Sequence, residues 1–494
     1  MRILSSFHTG AAMKPIAALA LLCLLRAVYS SPLLAQSPDS VRYERDPAFW
    51  NRFEKEVDRF VNNALNGFSN AEEPTPQLVA DTVHTWASDP GDGHDYGWTD
   101  SHRSQKFISY GIPKYVPWIT ENTIQKHLIL RYNRVEGTFL GLGSEKKYYW
   151  EDGKEFNPFG SIGYGFASHR WRGDLGISRQ IPVGSYDNDQ LVEVGVEGYS
   201  LTDSKDQWRI SMLENSMAAF FIHEDFRDYY GKDGVMLHTA YLVRDHELYG
   251  EARIAYVVDR YRSMENGADW ALFGGHKSFR DNPQINEGTM RSIATLAGFS
   301  TASKSRLGME GWNLHATAEF AGAGLGGDFR FQQYILDLRR YQPLGRYDNF
   351  NVRFRAGTSH GNLPVQKAYE IGGLGTLPGF SFKEFPGDTL GANRMLLMNA
   401  EYILNGDFLG DLAFWPTWLM RHIKLILLAD AGLVRTSSPG TSPFSGFGGI
   451  TWNELRSDAG IGISNRSGSF RLAAVWRTDV SEPARLLLRV EAPF

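Results

Sequence analysis

From residue 128 onward the chain alternates. In 161–166, Ile162, Tyr164 and Phe166 interleave with Ser161, Gly163 and Gly165. In 192–197, Val192, Val194 and Val196 interleave with Glu193, Gly195 and Glu197. Trp312, Leu314, Ala316, Ala318 and Phe320 alternate with Asn313, His315, Thr317 and Glu319, and Phe350, Val352, Phe354 and Ala356 with Asn351, Arg353 and Arg355. A period of two means strands with two unlike faces. The pattern predicts strands at 128–142, 157–167, 170–181, 190–200, 206–213, 235–243, 248–258, 290–300, 312–321, 329–340, 349–358, 394–404, 421–433, 457–465, 469–479 and 485–494. Most have about the nine to eleven residues with which a tilted strand crosses a bilayer.

Loop lengths sort by parity. If the first strand runs outward, the short turns 167–170, 200–206, 243–248, 340–349 and 465–469 all fall at the periplasmic end. The long loops 258–290, 358–394 and 433–457 all fall outside, as in outer-membrane barrels. The connections 300–312 and 404–421 are longer than periplasmic turns usually are. A soluble sandwich has no reason to sort its loops this way. Aromatics at 13% and 51 glycines fit many strands and tight turns. The expected fold is all-β: a 16-stranded antiparallel transmembrane β-barrel with a short N-terminal helical and loop segment.

The chain ends "RLLLRVEAPF". Leu486, Leu488, Val490, Ala492 and Phe494 form an apolar row, and Arg485, Arg489 and Glu491 lie on the other. A strand that runs to the last residue needs a neighbour, and pairing with the first strand would close the cylinder and remove the edge that lipid does not tolerate. Leu488, Val490 and Phe494 then form a C-terminal assembly signal, read by the outer-membrane barrel assembly machinery during biogenesis.

The first 126 residues differ. Lys14 precedes an apolar run from Ile16 to Leu25, too short for a membrane helix and suited to an export signal over 1–35, cleaved after Ser30 or Ala35. Cys23, the single cysteine, lies inside it, so the mature chain has neither disulfides nor cysteine metal sites. In the periplasmic segment 36–126, Asp46 and Pro47 start an amphipathic helix over 47–66. The aspartates of "DPGDGHDYGWTD" match no calcium loop. Mean hydropathy of −0.32 excludes a helical membrane bundle. The net charge of −5 gives no nucleic-acid footprint. No catalytic or metal constellation and no cofactor is expected: His223, Glu224 and Asp225 are adjacent in sequence and do not converge, and His238, His246 and His315 are scattered. Trp171, Trp312, Trp476 and Tyr402 suit lipid-facing or interfacial positions.

The stretch "EIGGLGTLPGFSFKEFPGDTLGANRMLLMNAEYIL" at 370–404 resembles the bacterial surface antigen family, the superfamily of the barrel-assembly protein BamA and the two-partner secretion transporters. Gly372, Gly373, Gly379, Phe380 and Gly387 match its sixth external loop, and Asn399, Glu401 and Tyr402 the strand after it. "YNRVEGTFLGLG", with Asn133, Arg134, Glu136 and Gly137, looks like a first barrel strand, and "LLADAGLV" and "SDAGIGIS" fit later ones. The resemblance covers 128–494. It implies a 16-stranded barrel whose loop, here about 365–392, folds back into the lumen. Two departures stand out. Pro378 occupies the place of the family's motif arginine, which projects toward lumen acids, here Glu401 and Asp430. Arg353, Arg355 or Lys383 is expected to supply the missing charge. The family's polypeptide-handling members carry POTRA modules, and 41–126 resembles none, nor does a patatin-type Gly-x-Ser-x-Gly elbow occur.

These features imply an outer-membrane, non-enzymatic barrel with a lumen-plugging loop and a role in membrane protein or lipid handling or translocation, in contact with outer-membrane lipids and lipopolysaccharide. The alternatives are a narrow or closed passive channel, or a scaffold that holds a surface or periplasmic partner through helix 47–66.

Overall fold

The structure is a computed structural model. It describes residues 127–490 except 145, 185–188, 246–247, 306–307, 387–390, 412–421, 452–453, 467 and 469. The expected signal segment, the segment 36–126 with its helix, Gly387 and Phe494 lie outside the described residues.

The main ladder runs through β1 (Leu128–Asn133), β2 (Gly137–Ser144), β3 (Phe156–Gly165), β4 (Arg170–Pro182), β5 (Asp189–Ser204), β6 (Tyr229–Asp245), β7 (Leu248–Ser263) and β8 (Gly288–Ser300). It continues through β9 (Gly308–Ala321), β10 (Phe331–Pro343), β11 (Asp348–Gly361), β12 (Arg394–Asn405), β13 (Ile423–Arg435), β14 (Arg456–Asn465), β15 (Arg471–Arg477) and β16 (Arg485–Arg489). Each strand pairs antiparallel with the next, from Leu128↔Leu142 at one end to Arg471↔Arg489 at the other. A short strand, Ser303–Ser305, adds a rung against the start of β9. Helices α1 (Met212–Ile222) and α2 (Gly406–Asp411) lie in connections.

The two faces of the sheet have inverted polarity relative to a soluble protein. Leu175, Trp171 and Ile162 are 74%, 66% and 59% exposed, whereas Arg134, Arg353 and Arg394 are at most 1% exposed. Along β11 the inward row is Asn349, Asn351, Arg353 and Arg355, and the outward row contains Phe350 and Phe354. In water such an apolar exterior would be unstable against association; in lipid it is the wetted surface. No helix among the described residues is long and apolar enough to span a membrane.

Two expectations need correction. The predicted first strand 128–142 is two strands. Asn133 Oδ1 accepts from the amides of Val135 and Glu136 at 3.0 and 2.7 Å, and Gly137 takes φ 64°. This tight turn reverses the chain where alternation alone read a continuous strand. Second, the predicted strand 206–213 is a turn leading into α1, capped by Ser211, whose Oγ accepts from Glu214 N at 3.1 Å. The two errors cancel in the strand total but move the turn 167–170 and the connection at 200–206 to the end that carries the long loops 264–287, 362–393 and 436–455. Among the described residues β1 pairs only with β2 and β16 only with β15; the rest of the expected closing strand, 491–494, lies outside the described residues.

Candidate functional site

The connection between β11 and β12, residues 362–393, turns back along the inner face of the sheet. Paired positions Tyr369↔Ala392, Ile371↔Phe385 and Gly373↔Leu377 make it a narrow ribbon. Its tip is held by Thr376, whose Oγ1 accepts from Gly372 N at 2.9 Å and donates to Gly373 O at 3.1 Å. Gly372 and Gly373 have φ 116° and 77°, and a Cβ on Gly373 would lie 2.7 Å from Phe382 Cα, so glycine is required at this turn. Below the tip, Ile371, Leu377 and Phe380 bury completely against Trp208, Met395 and Leu397. The loop thus adds a local apolar core to a largely polar sheet face.

The motif Leu377–Pro378–Gly379–Phe380 meets the strands through its backbone. Gly379 N donates to Asp458 Oδ2 at 2.6 Å, and a Cβ there would lie 2.8 Å from Asp458 Cβ. Asn399 Nδ2 donates to Thr376 O at 2.8 Å and to Asp430 Oδ1 at 2.7 Å. Asp430 and Asp458 are register partners on β13 and β14. Pro378 lines a cavity shared with Asn399, Glu401, Asp430, Arg471 and Arg489.

The expected charge cluster of Glu401, Asp430, Arg353, Arg355 and Lys383 is not one cluster. Glu401 pairs with Arg471 on β15 at 2.6 Å, a residue that the sequence reasoning missed. Its only signal was position: Arg471 opens an alternating strand on the inward row. Arg353 and Arg355 instead converge on Asp337 of β10. Arg353 Nε donates to Oδ2 at 3.1 Å, Arg355 Nη1 at 2.6 Å, and Arg339 Nε reaches Oδ1 at 3.1 Å. Both arginines stack on the Trp208 ring, at 5.0 and 4.1 Å.

Lys383 forms a third group. With φ 54° it projects its ammonium among Asp206 at 2.7 Å, Glu370 at 3.0 Å and Asp228. Lys205 reaches Glu370 at 3.1 Å, Arg209 reaches Asp206 at 3.3 Å, and Arg134 and Arg280 both pair with Asp228. The network ties four segments: the β1–β2 turn, the loop 205–228, the loop 264–287 and the lumen loop. Burial opposes the Lys383 charge, but the three carboxylates hold its pKa above the ordinary lysine value. Glu370 is held down to about 2 because Lys383, Lys205 and Arg209 outweigh its burial. Asp228 is depressed for the same reason, by Lys383 and Arg280.

The remaining candidates fall into place individually. His223 caps α1 in the left-handed region, and its Nε2 lies 3.0 Å from Asp269 Oδ1. Glu224 pairs with Lys277, and Asp225 accepts from Arg134 N at 3.0 Å. The three adjacent groups thus serve three different partners. Among the described residues no group of histidine, aspartate and glutamate side chains is arranged to hold a metal ion. Trp171, Trp312 and Trp476 all lie on the exposed face, and Tyr402 donates to Asp348 Oδ2 at 3.0 Å on the same side. Leu488 is exposed on the outward row, while Arg489 is buried inward.

An Omp85 superfamily domain model matches residues 225–479, more than half of the chain. The C-terminal domain of a family of unknown function, DUF5686, matches 114–298. No curated protein matches. Among solved structures, BamA from Haemophilus ducreyi lacking POTRA domains 1–3 is 12% identical, covering 72% of this chain and 67% of that one, with a TM-score of 0.45. CdiB from Acinetobacter baumannii and CdiB from Escherichia coli are each 12% identical with TM-scores of 0.34, and this chain spans 57% and 60% of their lengths. The family model spans the strands from β6 to β15 together with the lumen loop and its motif, and on that match the chain belongs to the Omp85 superfamily.

Proposed function

We propose that this protein is an outer-membrane barrel of the translocation and assembly type, handling membrane proteins or lipids, with the loop 362–393 as the plug of its lumen. The single observation that carries this reading is the loop tip. Gly379 N and Thr376 O are bonded to Asp458 and Asn399 on the inner face, and Phe380 is 1% exposed. A loop held by an apolar core, two hydrogen bonds and a buried lysine is an ordered obstruction. Pro378 stiffens it further, since its ring fixes φ.

The partners that fit are the lipids and lipopolysaccharide against the apolar exterior, and the barrel assembly machinery during biogenesis, through Leu488, Val490 and Phe494. The missing motif charge is supplied by Arg471 on Glu401 in this reading. Planar-bilayer conductance tests the plug. The intact protein is expected to be nearly silent and a deletion of 372–390 to conduct steadily. Equal conductance of the two would sink the plug, and an intact protein that conducts freely would favour the passive channel.

A further inference from the structure

A barrel in lipid cannot leave strand edges bare, because each unpaired amide or carbonyl there costs several kcal/mol. Yet no rung joins β1 and β16 among the described residues. Gly143 N donates to His127 O at 2.9 Å, so the odd residues of β1 face β2 and the even ones turn their amides to the free edge. One of these, Tyr132 N, donates to Ser216 Oγ of α1 at 3.2 Å. Just past β16, Val490 N donates to Glu214 Oε1 of the same helix at 3.1 Å. Arg489 clamps that carboxylate from two nitrogens, at 2.7 and 2.9 Å, with both side chains buried.

Residues 214 and 216 are two positions apart, about 200° around a helix. One side of α1 therefore faces β16 and the opposite side faces β1. The helix also lies along β1, where Ala219 is fully buried against Tyr132 and Phe279, and Phe220 meets Tyr132 edge-on at 5.6 Å. Asn215 holds it from the polar side, donating to Asp225 Oδ1 at 3.0 Å and Tyr229 Oη at 2.9 Å. The end of α1 is exposed and apolar. Phe221 and Ile222 continue into Trp270 and Phe273, joined by ring contacts and by Phe273 N donating to Phe221 O at 2.9 Å.

We infer that α1 is a helical stave of the barrel wall, standing between the first and last strands in place of a β-ladder and latched by Glu214 to Arg489. A helix satisfies its own backbone, so it is the one element other than a closed sheet that can face lipid. Among the described residues one ion pair and a few hydrogen bonds, not a ladder, hold this seam. The exposed row at Phe221 and Ile222 takes the acyl chains of the surrounding lipid. The inference uses the barrel fold alone and does not depend on what the barrel handles or on the plug.

Cross-linking with a short bifunctional methanethiosulfonate reagent in native outer membranes tests it, in a Cys23→Ser background; the reagent replaces the span of the two side chains, whose ends rather than Cβ atoms make the contact. The pair Glu214→Cys with Arg489→Cys is expected to cross-link in most molecules, and the pair Leu130→Cys with Leu488→Cys in few. Efficient Leu130–Leu488 cross-linking, with or without the other, overturns the inference, because it brings the strands together directly. Should neither pair form, a nitroxide on Phe221→Cys decides: it is expected to be relaxed by oxygen dissolved in lipid and protected from a water-soluble nickel chelate. Relaxation by the nickel chelate places α1 outside the wall and overturns it as well.

Discussion

Lys383→Met isolates the latch between the lumen loop and the loop 205–228. Methionine keeps a Cβ at φ 54°, so the backbone strain of this left-handed residue is unchanged, and the stem volume is nearly conserved. What is lost is one buried ammonium shared by Asp206, Asp228 and Glu370. Removing one member of a buried ion pair costs about 3–5 kcal/mol. Here Lys205, Arg209, Arg134 and Arg280 stay beside the same carboxylates, so about 2–3 kcal/mol is the expected weakening. If that weakening falls on the closed loop position alone, the open population rises roughly 30- to 150-fold at 1.4 kcal/mol per decade. Single-channel recording in planar bilayers reads it as burst frequency. An unchanged burst frequency, with the variant shown to be folded by heat-modifiable mobility, would refute the idea that this network holds the plug.

The same network sets a pH window. Lys383 has a raised folded pKa, so its contribution is complete below the ordinary lysine value of about 10.4 and is lost only as pH rises through the folded value. Glu370 is depressed to about 2, so its contribution is complete above the ordinary glutamate value of about 4.3 and is lost as pH falls toward 2. The contribution of this network should therefore be flat from about pH 5 to pH 10, so the ratio of Lys383→Met to intact burst frequency is expected to stay constant over that range, and a ratio that titrates near pH 7 would refute it. Asp337→Asn leaves Arg339, Arg353 and Arg355 without their shared carboxylate; a loss of about 3–5 kcal/mol in urea unfolding is expected, partly restored by adding Arg353→Gln. Gly379→Ala drives a methyl to 2.8 Å from Asp458 Cβ and should free the loop tip, which faster hydrogen exchange of residues 372–380 would register. Arg471→Leu alone should destabilise the barrel more than Arg471→Leu with Glu401→Leu, because the single change strands a buried carboxylate; equal losses would show that the pair is not coupled.

Much of the wall was legible because a strand between two unlike solvents must alternate, whatever its neighbours do. The predicted 394–404 and 457–465 differ from β12 and β14 by a single residue at one end. Where the rule failed, local chemistry had overridden it. Asn133 makes a side-chain turn in a stretch whose polarity still alternates. The strand expected at 206–213 overlooked Ser211 and Glu214, the two ends of a capping-box spacing before an apolar run, and that spacing was readable. The lumen loop was legible from its glycines, since positive φ and close backbone approach leave few alternatives at Gly372 and Gly373.

The partners of the buried charges were not legible. Arg489 meets Glu214, Lys383 meets Asp206, and Glu401 meets Arg471, pairs that lie far apart along the chain. Charge sign was visible for each, and an inward row for Arg489, Glu401 and Arg471, but any inward cation could have answered any inward acid. The sequence by itself determined a run of two-faced strands over the second and larger part of the chain, the long loop that precedes the strand at 394–404, and which face of those strands is apolar. Tertiary structure alone decided which charges neutralise one another and that α1 bonds both to the first strand and to the last. The physical reason is range: alternation is set by adjacent residues and one bilayer, whereas ion pairing across a lumen depends on how the sheet curls and what the loops bring inside it.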